Sequence, residues 1–325
     1  MNLCVLMLLV SCASNIFAAD NKEMHDRRQR AAAAFSDGIL VIHARSSMEF
    51  TADGFRQDPA FYYFTGLENT VGAVFAIDGK SGESWLFLPT DPPFLKSGLQ
   101  PEVVPGVDAA KRLGIEHVVD WSELVGFLAQ RAASPLLLYY ADDSLTFSDL
   151  PPNLLGQKAG VPLWAQAIHQ KWPSIEMKEV GARVNALMAV QNPGEVSSLR
   201  SAGKATVSAL MAGMRAIRTG VSQRTVESVV ETACWNAGAH GSSFWPWAMA
   251  GENAVFPRPF NSFARYDHLN VTMRSGDLVR LDVGCEWDHY QGDLGRTVPV
   301  SGHYSDDERE IWNIFVAAYR VLPST

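Results

Sequence analysis

Gly276-Asp277-Leu278-Val279-Arg280-Leu281-Asp282-Val283-Gly284-Cys285-Glu286-Trp287-Asp288-His289-Tyr290-Gln291-Gly292-Asp293-Leu294-Gly295-Arg296-Thr297-Val298-Pro299-Val300 reads as a ribbon folded back on itself. Asp282 ends an apolar run in the first arm, Asp293 opens one in the second, and Asp288-His289 is the polar break between them. Strand side chains alternate faces, so Arg280, Asp282 and Gly284 share one side while Val279, Leu281 and Val283 share the other. A carboxylate is thereby aimed one way by a strand whose other face is apolar. Gly292 and Gly295 flank Asp293, where backbone can come close to a ligand. Two carboxylates facing each other across a sheet repel. One of them must take up a proton unless a cation lies between them, and a metal is the favoured reading.

The composition is that of a globular chain. Its 325 residues are 47% hydrophobic and 19% charged, enough to bury a large core and long enough for about two domains. The formal net charge of −8 comes with no basic run, which argues against nucleic acid as a partner. No apolar stretch is long enough to cross a bilayer as a mature helix.

Residues 1–19 read as an export signal: a short apolar block, Leu3 to Val10, then small residues and the charged run Asp20-Asn21-Lys22-Glu23. Cleavage after Ala18 or Ala19 fits. Leu9-Val10-Ser11-Cys12 resembles a lipoprotein box, which makes a lipidated Cys12 the second choice. The expected location is thus exported, periplasmic or secreted. With Cys4 and Cys12 in the leader, Cys234 and Cys285 are too few for a disulfide framework. Cys285 is a poor match in softness for carboxylate partners and reads as a small buried residue.

Lys22 to Ala34 reads as an exposed helix, and Gly38–Ile42 as a buried strand. Gly72–Ile77 and Ser84–Leu88 flank the turn Asp78-Gly79-Lys80-Ser81-Gly82 as a hairpin. His117–Val119 and Leu136–Tyr140 are further strands, with a helix over Ser122–Arg131 between them. Phe55 to Gly66 is an aromatic cluster that packs the interior. Asp142 to Pro162 reads as a long loop.

From Val180 the pattern is helical. Asn192-Pro193-Gly194-Glu195 is a helix start, with an Asn cap, Pro at the first position and an acid at the third. Apolar residues then recur at helical spacing to Gly220, read as the C-cap. Ser222 opens the next helix, and His240 is placed as a charge at its C-terminal end. Trp245 and Trp247 share a strand face, in the core or lining a pocket. Ser305-Asp306-Asp307-Glu308 caps a last helix with Ile311, Trp312, Phe315 and Tyr319 on its buried side.

These motifs resemble the Xaa-Pro aminopeptidases (aminopeptidase P), relatives of prolidase and methionine aminopeptidase. The N-terminal match is Phe55-Arg56-Gln57-Asp58 with Phe61-Tyr62-Tyr63-Phe64-Thr65-Gly66. The later match runs through Asn192–Glu195, Gly251–Ala254, Gly276–Val279, Asp282–Gly284 and Gly292–Thr297. The resemblance implies an α/β chain in which residues 30–178 form a creatinase-type N-terminal domain. Residues 182–325 would then form the first half of an α+β pita-bread catalytic domain.

It implies two divalent metals, manganese before cobalt or zinc, held by Asp282, a bridging Asp293, and a His and two Glu further on. A hydroxide between the metals would attack the scissile carbonyl of a peptide with proline second. Arg296, and with it Thr297, would support the metal-site carboxylates from behind. Where the family places a substrate-contacting histidine after the Gly-x-Asn-Ala turn, this chain has Arg258 or Arg265, and His268 is the nearest candidate. Relatives of this kind also form homo-oligomers.

The remaining ligands are expected beyond Thr325, which makes residues 1–325 alone an inactive and poorly soluble fragment. The alternatives are a non-catalytic remnant or binding protein of the same fold, and a metal-free creatinase-like hydrolase.

Overall fold

A computed structural model describes residues 22–45, 55–89, 101–141, 163–255 and 270–321. The export signal with Cys12, the loop from Asp142 to Pro162, Arg258, Arg265 and His268 lie outside these residues. The chain divides into two compact units, Met1–Val190 and Gln191–Thr325.

The first unit is built on a six-stranded mixed sheet. Its strands are β1 (Ile39–His43), β2 (Val74–Asp78), β3 (Ser84–Leu88), β4 (His117–Asp120), β5 (Leu136–Ala141) and β6 (Ile175–Glu179), in the order β4-β3-β2-β1-β5-β6. β2 pairs antiparallel with β1 and with β3 on its two sides, while β4 adds parallel to β3, β5 parallel to β1 and β6 parallel to β5. Both faces are covered. Leu40 and Ile42 face one core with Phe35, Phe64 and Val184, while Ile39 and Val41 face another with Phe127, Leu128 and Ala165. This is the alternation that a strand buried on both sides requires.

The helices of this unit are α1 (22–34), α2 (Pro59–Thr65), α3 (Val107–Leu113), α4 (Glu123–Arg131), α5 (Leu163–Lys171) and α6 (Gly181–Met188). The aromatic cluster is helix α2, capped by the Asp58 side chain and closed by Gly66 in the left-handed region.

Helix α1 departs from the exposed helix expected of its composition, for Ala31, Ala32, Arg27 and Arg28 are buried. Arg28 Nη1 donates to the Phe64 carbonyl at 3.0 Å, and Nη2 to the carbonyls of Leu113 at 3.3 Å and Gly114 at 2.6 Å. One guanidinium thus serves the carbonyl ends of α2 and α3. Burial pushes it down to about 10, with Glu116 opposing.

The second unit packs α7 (Pro193–Ala216) and α8 (Gln223–Asn236) on small antiparallel sheets made by β7 (Gly241–Ser242), β8 (Trp247–Ala250), β9 (Leu278–Val283), β10 (Cys285–Trp287), β11 (Tyr290–Gln291) and β12 (Leu294–Pro299). A last helix, α9, spans Asp306–Arg320. Asn192 and Glu195 form the capping box of α7, and Ser222 caps α8.

Helix α7 stops at Ala216, four residues short of the expected Gly220, because Ile217 turns extended. His240 is also displaced from its expected role. α8 ends at Asn236, and the His240 backbone N–H donates to Glu286 O at 2.9 Å, which extends the ladder between β7 and β10. Cys285 is buried as read, but it is disulfide-bonded to Cys234 on α8, an outcome that two cysteines 51 residues apart did not signal.

Candidate metal centre

The folded-back ribbon is four short strands rather than two. β9 pairs with β12 and β10 with β11, and the two pairs belong to different three-stranded sheets. The break falls at two glycines. A Cβ on Gly284 would lie 2.0 Å from Gly292 O, and one on Gly292 would lie 2.1 Å from Thr206 Oγ1. Gly292 is therefore spent on close approach to α7 and not on a ligand, contrary to its sequence reading. Gly295 is exposed and crowded only by Leu281 O at 3.5 Å. Asp288 and His289 both adopt positive φ, 49° and 67°, as a two-residue type I′ hairpin turn requires.

β9 is the central strand of the order β12-β9-β8. Val279, Leu281 and Val283 are wholly buried against α7 and α8, and Leu278, Arg280 and Asp282 lie half-buried on the opposite side. Asp282 stands level with Gly295 on one neighbour and Trp247 on the other. Asp293, two residues before Gly295, falls on the same face as the diagonal neighbour of Asp282. The two carboxyl groups meet there. Burial first and then the Asp293 charge push the Asp282 carboxyl above the usual carboxylate range, against a pull from Arg280 and with a lesser push from a hydrogen bond with Asp293.

Thr297 stands opposite Arg280, and its carbonyl accepts from Tyr304 Oη at 2.6 Å. Arg296 stands opposite Leu281, on the alternate face of the ribbon, and its Nη1 donates to the neighbouring Gly295 carbonyl at 2.6 Å. Trp247 opens β8, whereas Trp245 precedes the strand, so the two do not share a strand face. Trp247 is the neighbour of Asp282 that alternation alone could not locate, because its partner strand is some thirty residues away. Tyr304 carried no signal in the sequence.

A groove of about 1090 Å³ runs between this face and α9, lined by Arg280, Asp282, Thr297, Tyr304, Glu308 and Trp312 among others. Tyr304 stacks on Trp312 with ring centres 5.6 Å apart. The expected buried side of α9 is open. Ile311, Phe315 and Tyr319 are 56%, 68% and 77% exposed and line the groove.

The all-oxygen pair suits a hard or borderline divalent ion, and its mutual repulsion is what a cation would relieve. It is a partial site. Among the described residues no group of three or more His, Cys, Asp or Glu side chains could hold a metal.

A mixed-sheet α/β unit is thus followed by a helix-backed antiparallel unit with a paired-carboxylate face. Two family models match: Aminopeptidase P, N-terminal domain, over residues 24–138, and Metallopeptidase family M24 over residues 197–322. The chain belongs to the aminopeptidase P family.

It is 26% identical over 302 residues to the Xaa-Pro aminopeptidase of Escherichia coli K12, covering 90% of this chain and 65% of that protein. It is 22% identical to a probable Xaa-Pro aminopeptidase of Sclerotinia sclerotiorum, of which it covers 51%. The chain thus spans from about half to just under two thirds of these relatives' length.

Among solved structures, a variant of Escherichia coli aminopeptidase P is similar with TM-score 0.71 at 25% identity, over 91% of this chain and 66% of that one. Proline aminopeptidase P II from Yersinia pestis shares the fold with TM-score 0.71 over 92% and 67%. Two Escherichia coli structures carry alanine in place of aspartates eleven residues apart, the separation of Asp282 and Asp293 here.

Proposed function

We propose that Asp282 and Asp293 contribute to a centre of two divalent ions, manganese before cobalt or zinc, in an aminopeptidase that removes the residue ahead of proline. The observation that carries this reading is the meeting of the two carboxyl groups on one face of β9 and β12. Support comes from relatives named Xaa-Pro aminopeptidase and from an Escherichia coli aminopeptidase P described as zinc-substituted and in complex with product.

When bound, the ions would supply a nucleophile at neutral pH and Lewis-acid polarisation of the scissile carbonyl. Asp293 would bridge them and Asp282 would hold one. β9 fixes Asp282 by burying Val279, Leu281 and Val283 behind it, and the pairing of β12 with β9 brings Asp293 alongside. Trp247 shields one flank of Asp282, and Gly295 leaves the other open. Thr297 holds Tyr304 at the groove, and Arg296 braces the strand beside Gly295. His268 remains the candidate substrate contact. Export to an oxidising compartment, by cleavage of the leader or with Cys12 as an anchor, is supported by the buried Cys234–Cys285 bridge.

Calorimetric titration with manganese tests the pair. The protein should bind the ion, and Asp282→Asn or Asp293→Asn should weaken binding by about tenfold or more. Unchanged affinity in both variants would remove the metal reading and favour a non-catalytic binding protein of the same fold. Residues 20–325 assayed alone with manganese on a proline-second tripeptide should release nothing. Activity should require the His and two Glu that complete the set, and release without them would show that the pair suffices.

A further inference from the structure

Cys234 on α8 and Cys285 on β10 are disulfide-bonded, with Cα atoms 5.5 Å apart, and both are wholly buried in the core with Val226, Val230 and Leu281. The position of Cys285 in the ribbon gives the bridge its significance. It follows Asp282 by three residues, with β9 and β10 separated only by Gly284. Its N–H donates to Thr206 Oγ1 on α7 at 2.9 Å, and its carbonyl accepts from the N–H of Gly292, the residue before Asp293, at 2.9 Å. One residue therefore ties the departing end of the Asp282 strand and the arriving end of the Asp293 strand to both helices. Its tie to α8 is covalent.

We propose that the Cys234–Cys285 bridge is a positioning element for the carboxylate pair, formed during folding in the presence of a thiol oxidant and closed to reductants once the core has packed. The Sγ–Sγ bond forms as the two thiols give up two protons and two electrons to the disulfide of an oxidising protein, which departs as a dithiol. Burial of both sulfurs then denies access to an attacking thiolate. The metal reading above enters only through the manganese measurement below.

Three measurements on the whole protein decide it. In a non-reduced tryptic digest, mass spectrometry should find peptide Thr225–Arg265 linked to peptide Leu281–Arg296, before and after the native protein is exposed to dithiothreitol. In Cys234→Ala/Cys285→Ala, amide hydrogens of residues 278–299 should exchange about tenfold faster or more, while those of α7 and of residues up to 190 keep their rates. The midpoint for manganese should rise in that variant. If the double alanine variant does not fold, Cys234→Val/Cys285→Ala refills the core and is read the same way.

Unlinked peptides would overturn the proposal, as would unchanged exchange of the ribbon. So would an acceleration shared equally by α7 and the ribbon, which marks general support of the fold and not positioning. If neither form binds manganese, the metal reading falls, and the exchange comparison alone decides the bridge.

Discussion

At Asp282, burial and the neighbouring Asp293 oppose the ionisation that a carboxyl ordinarily shows at neutral pH. The folded state therefore holds this proton to higher pH than the unfolded chain does. The resulting stability is present below the unfolded carboxyl's titration and is lost as pH rises through the folded one. Without metal, the melting temperature should fall as pH rises across this range, and Asp282→Asn should flatten that slope. Added manganese should flatten it too, by taking the proton's place; a slope indifferent to both would refute the coupling.

Gly284 makes a different demand, since a methyl group there meets backbone at 2.0 Å. Gly284→Ala should cost about 2 kcal/mol or more in urea unfolding and weaken metal binding with it, because the strand must move. Asp282 and Asp293 were legible from spacing and alternation. The buried Arg28 was not, because its carbonyl partners at Phe64, Leu113 and Gly114 are distant in sequence and a run of arginines reads as solvated surface.

Among the elements, β1 to β5, α7 and α8 were legible, because apolar runs, caps and turn residues agreed locally. β6 was missed. Only Ile175 of Ile175-Glu176-Met177-Lys178-Glu179 is fully buried, and charged residues on an edge strand mask its alternation. Helix α9 was placed correctly by its capping box but given a buried side that it lacks, for spacing announces an apolar face and not its partner. With only the Tyr304–Trp312 stacking described against it, α9 depends largely on its ends. Ser305→Ala should cost that helix about 1 kcal/mol, visible as lost far-ultraviolet helicity and not as lost cooperativity of the rest. In the β10–β11 hairpin, His289 occupies a left-handed position that glycine adopts freely. His289→Gly should raise stability by about 0.5–1 kcal/mol in denaturant titration.

At the level of the whole molecule, each unit carries its own core. Residues 22–190 expressed alone should give a cooperative thermal transition, and its absence would show that the first unit depends on the second. The disulfide lies entirely in the second unit and closes a span of 51 residues. Its removal should leave the first unit's thermal transition in place.

The strand order of the first unit has a consequence in time. β1 takes β2 from the next stretch of chain, but its other edge pairs with β5, where Ile39 meets Leu138. At a ribosomal pace of 5–20 residues per second, that edge waits roughly 5–20 s for its partner to be made. During synthesis an apolar, unpaired strand at the middle of the future sheet is therefore offered to whatever is nearby. The newborn chain needs a chaperone's cover most in the interval before residue 141 emerges.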